Sequence, residues 1–279
     1  MPAAFRPLDD KVSMMSNDSQ NSHPHNDESP FHNVAAIVTG GAKGIGAAIV
    51  RRLAASGASG ASVAIVDFDA AAARALADEV PGAFAVTADV GDYTVLSEAM
   101  EAACIRLNGL DLLINNAGWD HVQRFTDTDP SLWDKLIHIN LKGVFNATHL
   151  AIPRLVARGG GRIVNVASDA GRVGSSGEAV YAACKGGTIA FTKSIARETA
   201  RHGITVNCVC PGPTDTPLLE EIKQDERAAA TMDAIVRATP NRRLARPEEI
   251  AEAVAFFAAA PAHVTGQVLS VSGGLTMAG

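Results

Sequence analysis

The 279-residue sequence predicts an α/β fold, in which a doubly wound parallel sheet of seven strands carries helices on both faces. Two observations support this. From Val34 onward, short β-branched apolar runs alternate with longer Ala-rich stretches of helical period, which is typical of repeated βαβ units. Most of the apolar runs also lack polar alternation, as expected for strands covered by helices on both sides.

The first 32 residues are predicted to form a disordered tail, because they are rich in Asn, Ser, Asp, His and Pro and show no period. The folded domain is assigned to residues 33–279. Strands are predicted at 34–39, 62–67, 83–87, 111–115, 161–167, 204–210 and 267–272. Helices are predicted at 44–57, 69–79, 92–107, 130–157, 178–202 and 247–259. Residues 212–246 are too long for a simple connection and are predicted to be an irregular substrate lid.

Composition excludes several functional classes. With 24 Lys and Arg against 30 Asp and Glu, no broad basic surface is available, and nucleic acid is not expected as a partner. No apolar stretch reaches the roughly 20 residues that cross a bilayer, so no membrane partner is expected. The four cysteines form no disulfide framework and no secretory leader precedes them, which indicates a cytoplasmic protein. No metal site is predicted, because Cys208 and Cys210 are interpreted as buried thiols of a strand.

A glycine-rich turn follows the first predicted strand. Gly40, Gly44 and Gly46 fall where the strand turns into a helix, and there the backbone can approach a pyrophosphate closely. The second strand ends in Asp67, whose carboxylate can accept hydrogen bonds from the adenosine ribose and would repel a 2′-phosphate. Lys43 would favour a 2′-phosphate, but Asp67 carries more weight. These features predict NAD as the cofactor of a Rossmann-type domain.

A second motif carries acid–base chemistry. Tyr181 and Lys185 are four residues apart, which places them on one face of a helix. The Lys185 ammonium is expected to stabilise the Tyr181 phenolate and so make this phenol an effective acid–base group near neutral pH. Ser168 ends the fifth predicted strand, where its hydroxyl can hold the substrate oxygen.

Two other functions fit parts of these motifs. A serine hydrolase is disfavoured, because Gly174-Ser175-Ser176-Gly177 is followed by Glu178 where a nucleophile turn needs glycine. A nucleotide-binding scaffold without catalysis remains an alternative, since a fold does not fix a function. The intact set of Ser168, Tyr181 and Lys185 argues against it.

Taken together, the glycine spacing, Asn115-Asn116-Ala117-Gly118, Tyr181-Ala182-Ala183-Cys184-Lys185 and Pro211-Gly212 resemble the short-chain dehydrogenase/reductase family over residues 33–279. The resemblance implies a catalytic tetrad of Asn140, Ser168, Tyr181 and Lys185, in which Asn140 holds a backbone distortion and a water that relays protons to Lys185. It implies a second cofactor role for Tyr181 and Lys185, the latter on the nicotinamide ribose. The remaining cofactor residues that it implies are Gly40, Gly44, Ile45 and Gly46 at the phosphates, Asp67 at the ribose, Asp89 and Val90 at the adenine, Asn116, Ala117 and Gly118 at the centre, and Pro211, Gly212, Thr214 and Thr216 over the nicotinamide.

The substrate prediction rests on the same resemblance. The segments around Trp119-Asp120 and from Ser168 to Gly187 are most similar to family members that act on 2-hydroxycycloalkane-carboxyl-CoA thioesters. NAD-dependent oxidation of a secondary alcohol beside a thioester carbonyl is therefore predicted, with reduction of a 3-oxoacyl thioester of ACP or CoA as the alternative. A cluster of arginines is interpreted either as a CoA phosphate contact or as structural: Arg237, Arg242, Arg243 and Arg246. Gly273-Gly274-Leu275-Thr276 resembles a tetramer-forming edge, so a homotetramer is expected.

Overall fold

The computed structural model describes residues 30–55 and 61–277. The seven predicted strands are present: β1 (Ala35–Thr39), β2 (Ser62–Asp67), β3 (Ala83–Thr87), β4 (Leu112–Asn115), β5 (Gly161–Val166), β6 (Ile204–Pro211) and β7 (Val268–Val271). The helices are α1 (Gly44–Ala54), α2 (Ala70–Glu79), α3 (Tyr93–Leu107), α4 (Pro130–Ile137), α5 (Gly143–Arg158), α6 (Ala170–Val173), α7 (Ala179–Thr199), α8 (Pro217–Ile222), α9 (Glu226–Ala238) and α10 (Pro247–Ala259). Short 3₁₀ turns cover Phe125–Asp127 and Ala200–His202.

All strand pairs are parallel, and the strand order is β3-β2-β1-β4-β5-β6-β7. From the boundary between β1 and β4, successive strands are added toward one edge of the sheet as β1, β2 and β3 and toward the other edge as β4 to β7. The connecting helices therefore run in opposite directions on the two sides of this boundary. Ligands of such sheets bind in the crevice that opens at the carboxyl ends of the strands there. The predicted doubly wound α/β architecture is confirmed.

The sheet separates two hydrophobic clusters, as its side-chain alternation requires. Ala36 and Val38 of β1 point to a cluster that includes residues of α1, α2 and α10. Ile37, between them, points to the opposite cluster, which includes residues of α3 and α5. Helices on both faces explain why the strands are apolar along nearly their whole length.

The predicted helix over 130–157 is interrupted. Residues His138–Lys142 form a π-helical turn that separates α4 from α5. Such a turn inserts one extra residue into the helical ladder and is frequent at functional sites. The π turn places Asn140 fully inside the protein, where its side chain bonds to backbone of another segment.

The lid predicted as irregular over 212–246 contains two helices. Thr216 caps α8 with its hydroxyl, and Pro217 occupies the first helical turn. Asp225 caps α9 by accepting the N–H groups of Arg227 and Ala228. The prediction of an irregular segment was wrong because these short caps were not recognised as helix starts.

The predicted tail extends beyond the described residues, since residues 1–29 lie outside them. Phe31 belongs to the same predicted segment but is 1% exposed and packs into the core cluster that contains α1. The guanidinium of Arg52 lies 5.7 Å from its ring centroid. Packed structure therefore begins before residue 33, and the predicted boundary was too late.

The four cysteines are free, and Cys208 and Cys210 are buried on the same face of β6, as residues two apart in a strand must be. Among the described residues, no helix is both long and apolar enough to cross a membrane.

Candidate active site

A cleft of about 1230 Å³ opens at the carboxyl ends of the strands. Its volume exceeds the roughly 300–1000 Å³ of an ordinary small-molecule pocket, and so it has room for a dinucleotide beside a substrate. Every residue that the sequence predicted to bind the cofactor lines it, and so do Ser168, Tyr181 and Lys185. The remaining predicted residue, Asn140, lies behind the cleft wall.

The glycine turn between β1 and α1 is shaped so that side chains are excluded. Gly40 has a φ of +59°, and a Cβ there would lie 2.6 Å from the Cα of Ala117. A Cβ on Gly46 would overlap the Gly40 carbonyl and lie 2.7 Å from the Asn116 side-chain nitrogen. The backbone of the turn is thus exposed to the cleft at the start of α1, as a pyrophosphate site requires.

Asn116 fastens this turn. Its side-chain amide donates to the carbonyl oxygens of Thr39 (3.2 Å) and Gly40 (2.8 Å). The Thr39 hydroxyl in turn accepts the backbone N–H groups of Asn116 (3.1 Å) and Ala117 (3.3 Å). Asn116 therefore holds the glycine turn through its backbone carbonyls, in addition to lining the cleft.

Asp67 lies at the end of β2, and its side chain is largely buried. Its carboxylate accepts the backbone N–H groups of Ala42 and Asp69, both at 3.0 Å, which fixes it against the glycine turn. Lys43 is engaged elsewhere, because its ammonium forms an ion pair of 2.6 Å with Asp69. Asp69 also caps α2 by accepting the N–H of Ala72, so Asp67 is not needed for that role. Lys43, which would favour a 2′-phosphate, thus already has an acidic partner.

The next loop carries Asp89 and Val90. The Asp89 carboxylate accepts the N–H of Gly91 at 2.9 Å and contacts the His138 ring nitrogen at 3.0 Å. Asn146 of α5 donates to the carbonyls of Val90 (2.9 Å) and Gly91 (3.1 Å). This loop is therefore held from both the π turn and α5.

Asn140 connects the π turn to the strand end after β4. Its amide donates to the carbonyls of Trp119 (2.7 Å) and Leu136 (3.0 Å), while its oxygen accepts the Trp119 N–H at 3.2 Å. The bond to Leu136 reaches back into α4, so the same amide ties the π turn to the helix before it. Asn140 thereby positions the segment after Gly118, where Trp119 lines the cleft.

The acid–base residues come together on β5 and α7. The Lys185 ammonium donates to the Val166 carbonyl at 3.1 Å and lies 5.5 Å from the Tyr181 ring centroid. The Ser168 hydroxyl accepts the N–H of Ala170 at 3.1 Å and lies close enough to the Tyr181 phenol to lower its pKa. The Ser168 hydroxyl therefore serves both its own turn and the Tyr181 phenol.

The electrostatics of Tyr181 differ from the sequence expectation. Burial, followed by the negative charges of Asp120 and Glu178, raises the pKa of Tyr181, and the hydrogen bond with Ser168 only partly offsets this. Burial also lowers the pKa of the Lys185 ammonium. The pKa of the phenol is therefore raised overall, not lowered as the sequence predicted, first because the phenol is buried and then because two carboxyl groups outside the motif lie near it.

The end of the cleft where we expect the substrate, called here the substrate end, is lined by Trp119, Asp120 and Glu178. The Trp119 ring stacks on His121 at 6.0 Å between centroids, and the Lys135 ammonium lies 3.5 Å from its ring centroid. Asp120 is 5% exposed and hydrogen-bonds Glu178. Residues of α8 and α9 complete this wall: Leu218, Leu219, Ile222, Met232 and Ile235.

The arginine cluster does not reach the cleft. Arg243 forms two hydrogen bonds with Glu249, of 2.6 and 2.7 Å, and Glu249 also accepts the N–H of Arg246. Among the described residues that line the cleft there is no arginine. Of the two interpretations, the structural one is favoured for Arg243 and Arg246.

The sequence motifs gave no role to the polar residues that hold the strands together, although one of them, Asn115, stands in a quoted motif. Asn115 donates to the Thr148 hydroxyl (3.0 Å) and to the Asn165 oxygen (2.8 Å), and Asn165 donates to Thr192 at 2.8 Å. Asn146 and Thr39 were also missed. In the sequence these residues differ from their neighbours only in being polar within apolar runs. That difference does not show which groups they hydrogen-bond.

Comparisons with known proteins agree with this geometry. The family model described as short chain dehydrogenase matches residues 34–227. Cis-4-hydroxycyclohexanecarboxylate dehydrogenase of Sinomonas cyclohexanicum is 41% identical over 88% of this chain and 98% of that protein. Acetoacetyl-CoA reductase of Shinella zoogloeoides is 38% identical over 86% and 97%. The crystal structure of a single-residue variant of actinorhodin polyketide ketoreductase with NADPH superposes with a TM-score of 0.80 at 35% identity, over 87% of this chain and 97% of that one. The chain belongs to the short-chain dehydrogenase family, whose members are oxidoreductases of hydroxyl and keto groups that use a nicotinamide cofactor.

Proposed function

We propose that the protein is an NAD-dependent dehydrogenase that oxidises a secondary alcohol beside a thioester carbonyl, with 2-hydroxycycloalkane-carboxyl-CoA as the substrate class. The observation that carries the oxidoreductase assignment is the placement of Ser168, Tyr181 and Lys185 in one cleft with the glycine turn and Asp67. The substrate assignment is supported by sequence resemblance to 2-hydroxycyclohexanecarboxyl-CoA dehydrogenase. A relative that acts on a hydroxycyclohexane ring, by its name, adds support for the ring.

The residues of the chain fit the proposed cofactor. The turn at Gly40 and Gly46 leaves space that a Cβ would fill, and the Asp67 carboxylate disfavours a 2′-phosphate. A bound nicotinamide would supply the hydride acceptor.

The proposed proton transfer uses three side chains. The Ser168 hydroxyl holds the substrate oxygen, and the Tyr181 oxygen accepts the hydroxyl proton. Lys185 acts as the ammonium beside this phenol and is oriented by the Val166 carbonyl. In the proposed scheme Asn140 is a positioning residue, because it fixes the backbone at Trp119.

Reduction of a 3-oxoacyl thioester is the second candidate, and the electrostatics of Tyr181 favour it. A phenol whose pKa is raised keeps its proton and is suited to donate it to the oxygen of a ketone. A relative is named acetoacetyl-CoA reductase. The same residues would serve both directions.

The test is a screen for NADH formation with free and CoA-bound hydroxy acids, run beside NADH oxidation with 3-oxoacyl thioesters. Tyr181→Phe retains the ring and removes the acid–base oxygen, so turnover should fall by at least about 100-fold while NADH still binds. Turnover of the variant within tenfold of wild type would remove Tyr181 from the mechanism. No turnover by either protein would favour the scaffold alternative.

We further propose that the enzyme works as a cytoplasmic homotetramer. β7 is an edge strand, and Leu269 on it is 39% exposed, which leaves an apolar edge for a second copy. Four free cysteines suit a reducing compartment. Light scattering of the purified protein should give four times the 28.9 kDa chain mass, and a monomer would contradict the proposal.

A further inference from the structure

A buried pair of carboxyl groups lies at the substrate end of the cleft and has no part in the proton transfer proposed above. Asp120 is 5% exposed, Glu178 is half-buried, and their side chains hydrogen-bond each other. Asp120 follows Trp119, whose backbone is bonded to Asn140, and Glu178 stands three residues before Tyr181 at the start of α7. Two separate elements thus bring the carboxyls together beside the reacting phenol.

The pair must share a proton, because two carboxylates have no donor between them. Burial and then the neighbouring Glu178 raise the pKa of Asp120 to about 9. The pair therefore carries one proton and one negative charge at neutral pH. This charge is felt at Tyr181, whose pKa both carboxyls help to raise.

Two cations lie at this end of the cleft, Lys185 and Lys135, and each already contacts another group. The backbone N–H of His121 donates to Asp120 at 2.8 Å, and Lys185 attracts Asp120 but also donates to the Val166 carbonyl. Lys135 lies over the Trp119 ring. No arginine is present among the described cleft-lining residues, so a bidentate carboxylate clamp is missing there.

We propose that Asp120 and Glu178 determine substrate specificity by rejecting hydroxy acids with a free carboxylate near the reacting carbon and admitting the neutral esters or thioesters of those acids. This inference rests on the proposed function, since a thioester is such a neutral acyl group. A second negative charge several ångströms from the pair would be disfavoured by roughly tenfold to 100-fold in a partly buried site. A thioester carbonyl carries no net charge and avoids this repulsion.

The test compares three forms of one compound: 2-hydroxycyclohexanecarboxylate, its methyl ester and its CoA thioester. The methyl ester lacks CoA, so it separates the effect of carboxylate charge from contacts with the carrier. For the wild type, kcat/KM should be at least tenfold higher for the methyl ester than for the free acid. Equal or higher efficiency with the free acid would overturn the inference.

Two variants connect this preference to the pair. Asp120→Asn combined with Glu178→Gln removes the charge, and the ratio of ester to acid efficiency should fall to within about threefold. Asp120→Asn alone is the matched control, because it leaves the second acidic side chain, Glu178, in the cleft, so the preference should persist. A double variant that keeps the wild-type ratio would show that the pair does not set it.

A binding measurement keeps the inference testable if none of the three compounds is turned over, an outcome that would count against the proposed function alone. Cyclohexanecarboxylate and methyl cyclohexanecarboxylate would be titrated into the protein–NADH complex and followed by NADH fluorescence. The wild type should bind the ester at least tenfold more tightly, and the double variant should not distinguish them. Tighter binding of the carboxylate by the wild type would contradict the inference.

Discussion

Replacement of Asn116 by Ala should damage both stability and cofactor binding, in amounts that the structure allows us to estimate. The side-chain amide donates to the Thr39 carbonyl at 3.2 Å and to the Gly40 carbonyl at 2.8 Å. Each such bond contributes about 1 kcal/mol, and the carbonyls left without a donor add to the loss, which gives about 2–3 kcal/mol in total. For a chain of this size the melting temperature should fall by about 5–10 °C.

The cofactor effect follows because the same bonds fix the turn at Gly40. If about 1.4 kcal/mol of this lost free energy falls on the NADH-bound protein but not on the free protein, NADH should bind roughly tenfold more weakly. Asn207→Ala is the matched control. Asn207 is buried in β6, donates to the Val264 carbonyl at 2.9 Å, accepts the Gln267 N–H at 3.0 Å and does not line the cleft.

Both variants should therefore melt at lower temperatures, but only Asn116→Ala should weaken NADH binding. The measurements are thermal melting by circular dichroism and titration of NADH fluorescence. Unchanged NADH affinity in Asn116→Ala, or equal weakening in Asn207→Ala, would refute the proposal that Asn116 positions the cofactor turn.

Three further predictions concern charge and packing. Asp67→Asn should lower the NAD preference, measured as kcat/KM with NAD divided by kcat/KM with NADP, by at least about tenfold, because it removes a charge that opposes a 2′-phosphate. A wild type that prefers NADP would contradict the role of Asp67. The folded-state pKa of Asp120 is raised to about 9, so the stability linked to its proton is fully present below about pH 4 and is lost as pH rises toward 9. The melting temperature of Asp120→Asn, measured relative to wild type at the same pH, should therefore rise between about pH 4 and about pH 9. A difference that does not change with pH would argue against the buried proton. Deletion of residues 2–29 should leave the melting temperature and turnover unchanged within error. Phe31→Ala should lower the free energy of unfolding by about 3–5 kcal/mol in a denaturant titration, because this side chain is buried. The reverse pattern would show that the tail carries the packing.

The elements that the sequence predicted well are those defined by local pattern. The strands are within one or two residues of prediction because most of them are short, buried, β-branched apolar runs bounded by polar or glycine-containing segments. The glycine turn was predicted because Gly40 and Gly46 meet a steric demand of the backbone itself. The spacing of Tyr181 and Lys185 likewise fixes a shared helix face without any tertiary information.

The features that sequence reasoning did not predict depend on contacts between segments far apart in the chain. The resemblance implied a distortion at Asn140, but its bonds to Trp119 join the π turn to the end of β4, and only the folded chain shows them. The two helices of the lid were missed because each depends on a short cap that resembles an ordinary loop residue.

The sequence by itself determined the positions of the seven strands along the chain, the glycine turn and the shared helix face of Tyr181 and Lys185, because each follows from the spacing of residues along one strand, turn or helix. The tertiary structure decided how charges are paired. It paired Lys43 with Asp69 while leaving Lys43 within the influence of Asp67, and it placed Asp120 and Glu178 beside the phenol. Electrostatic effects depend on distance and burial in three dimensions, and sequence separation carries neither quantity.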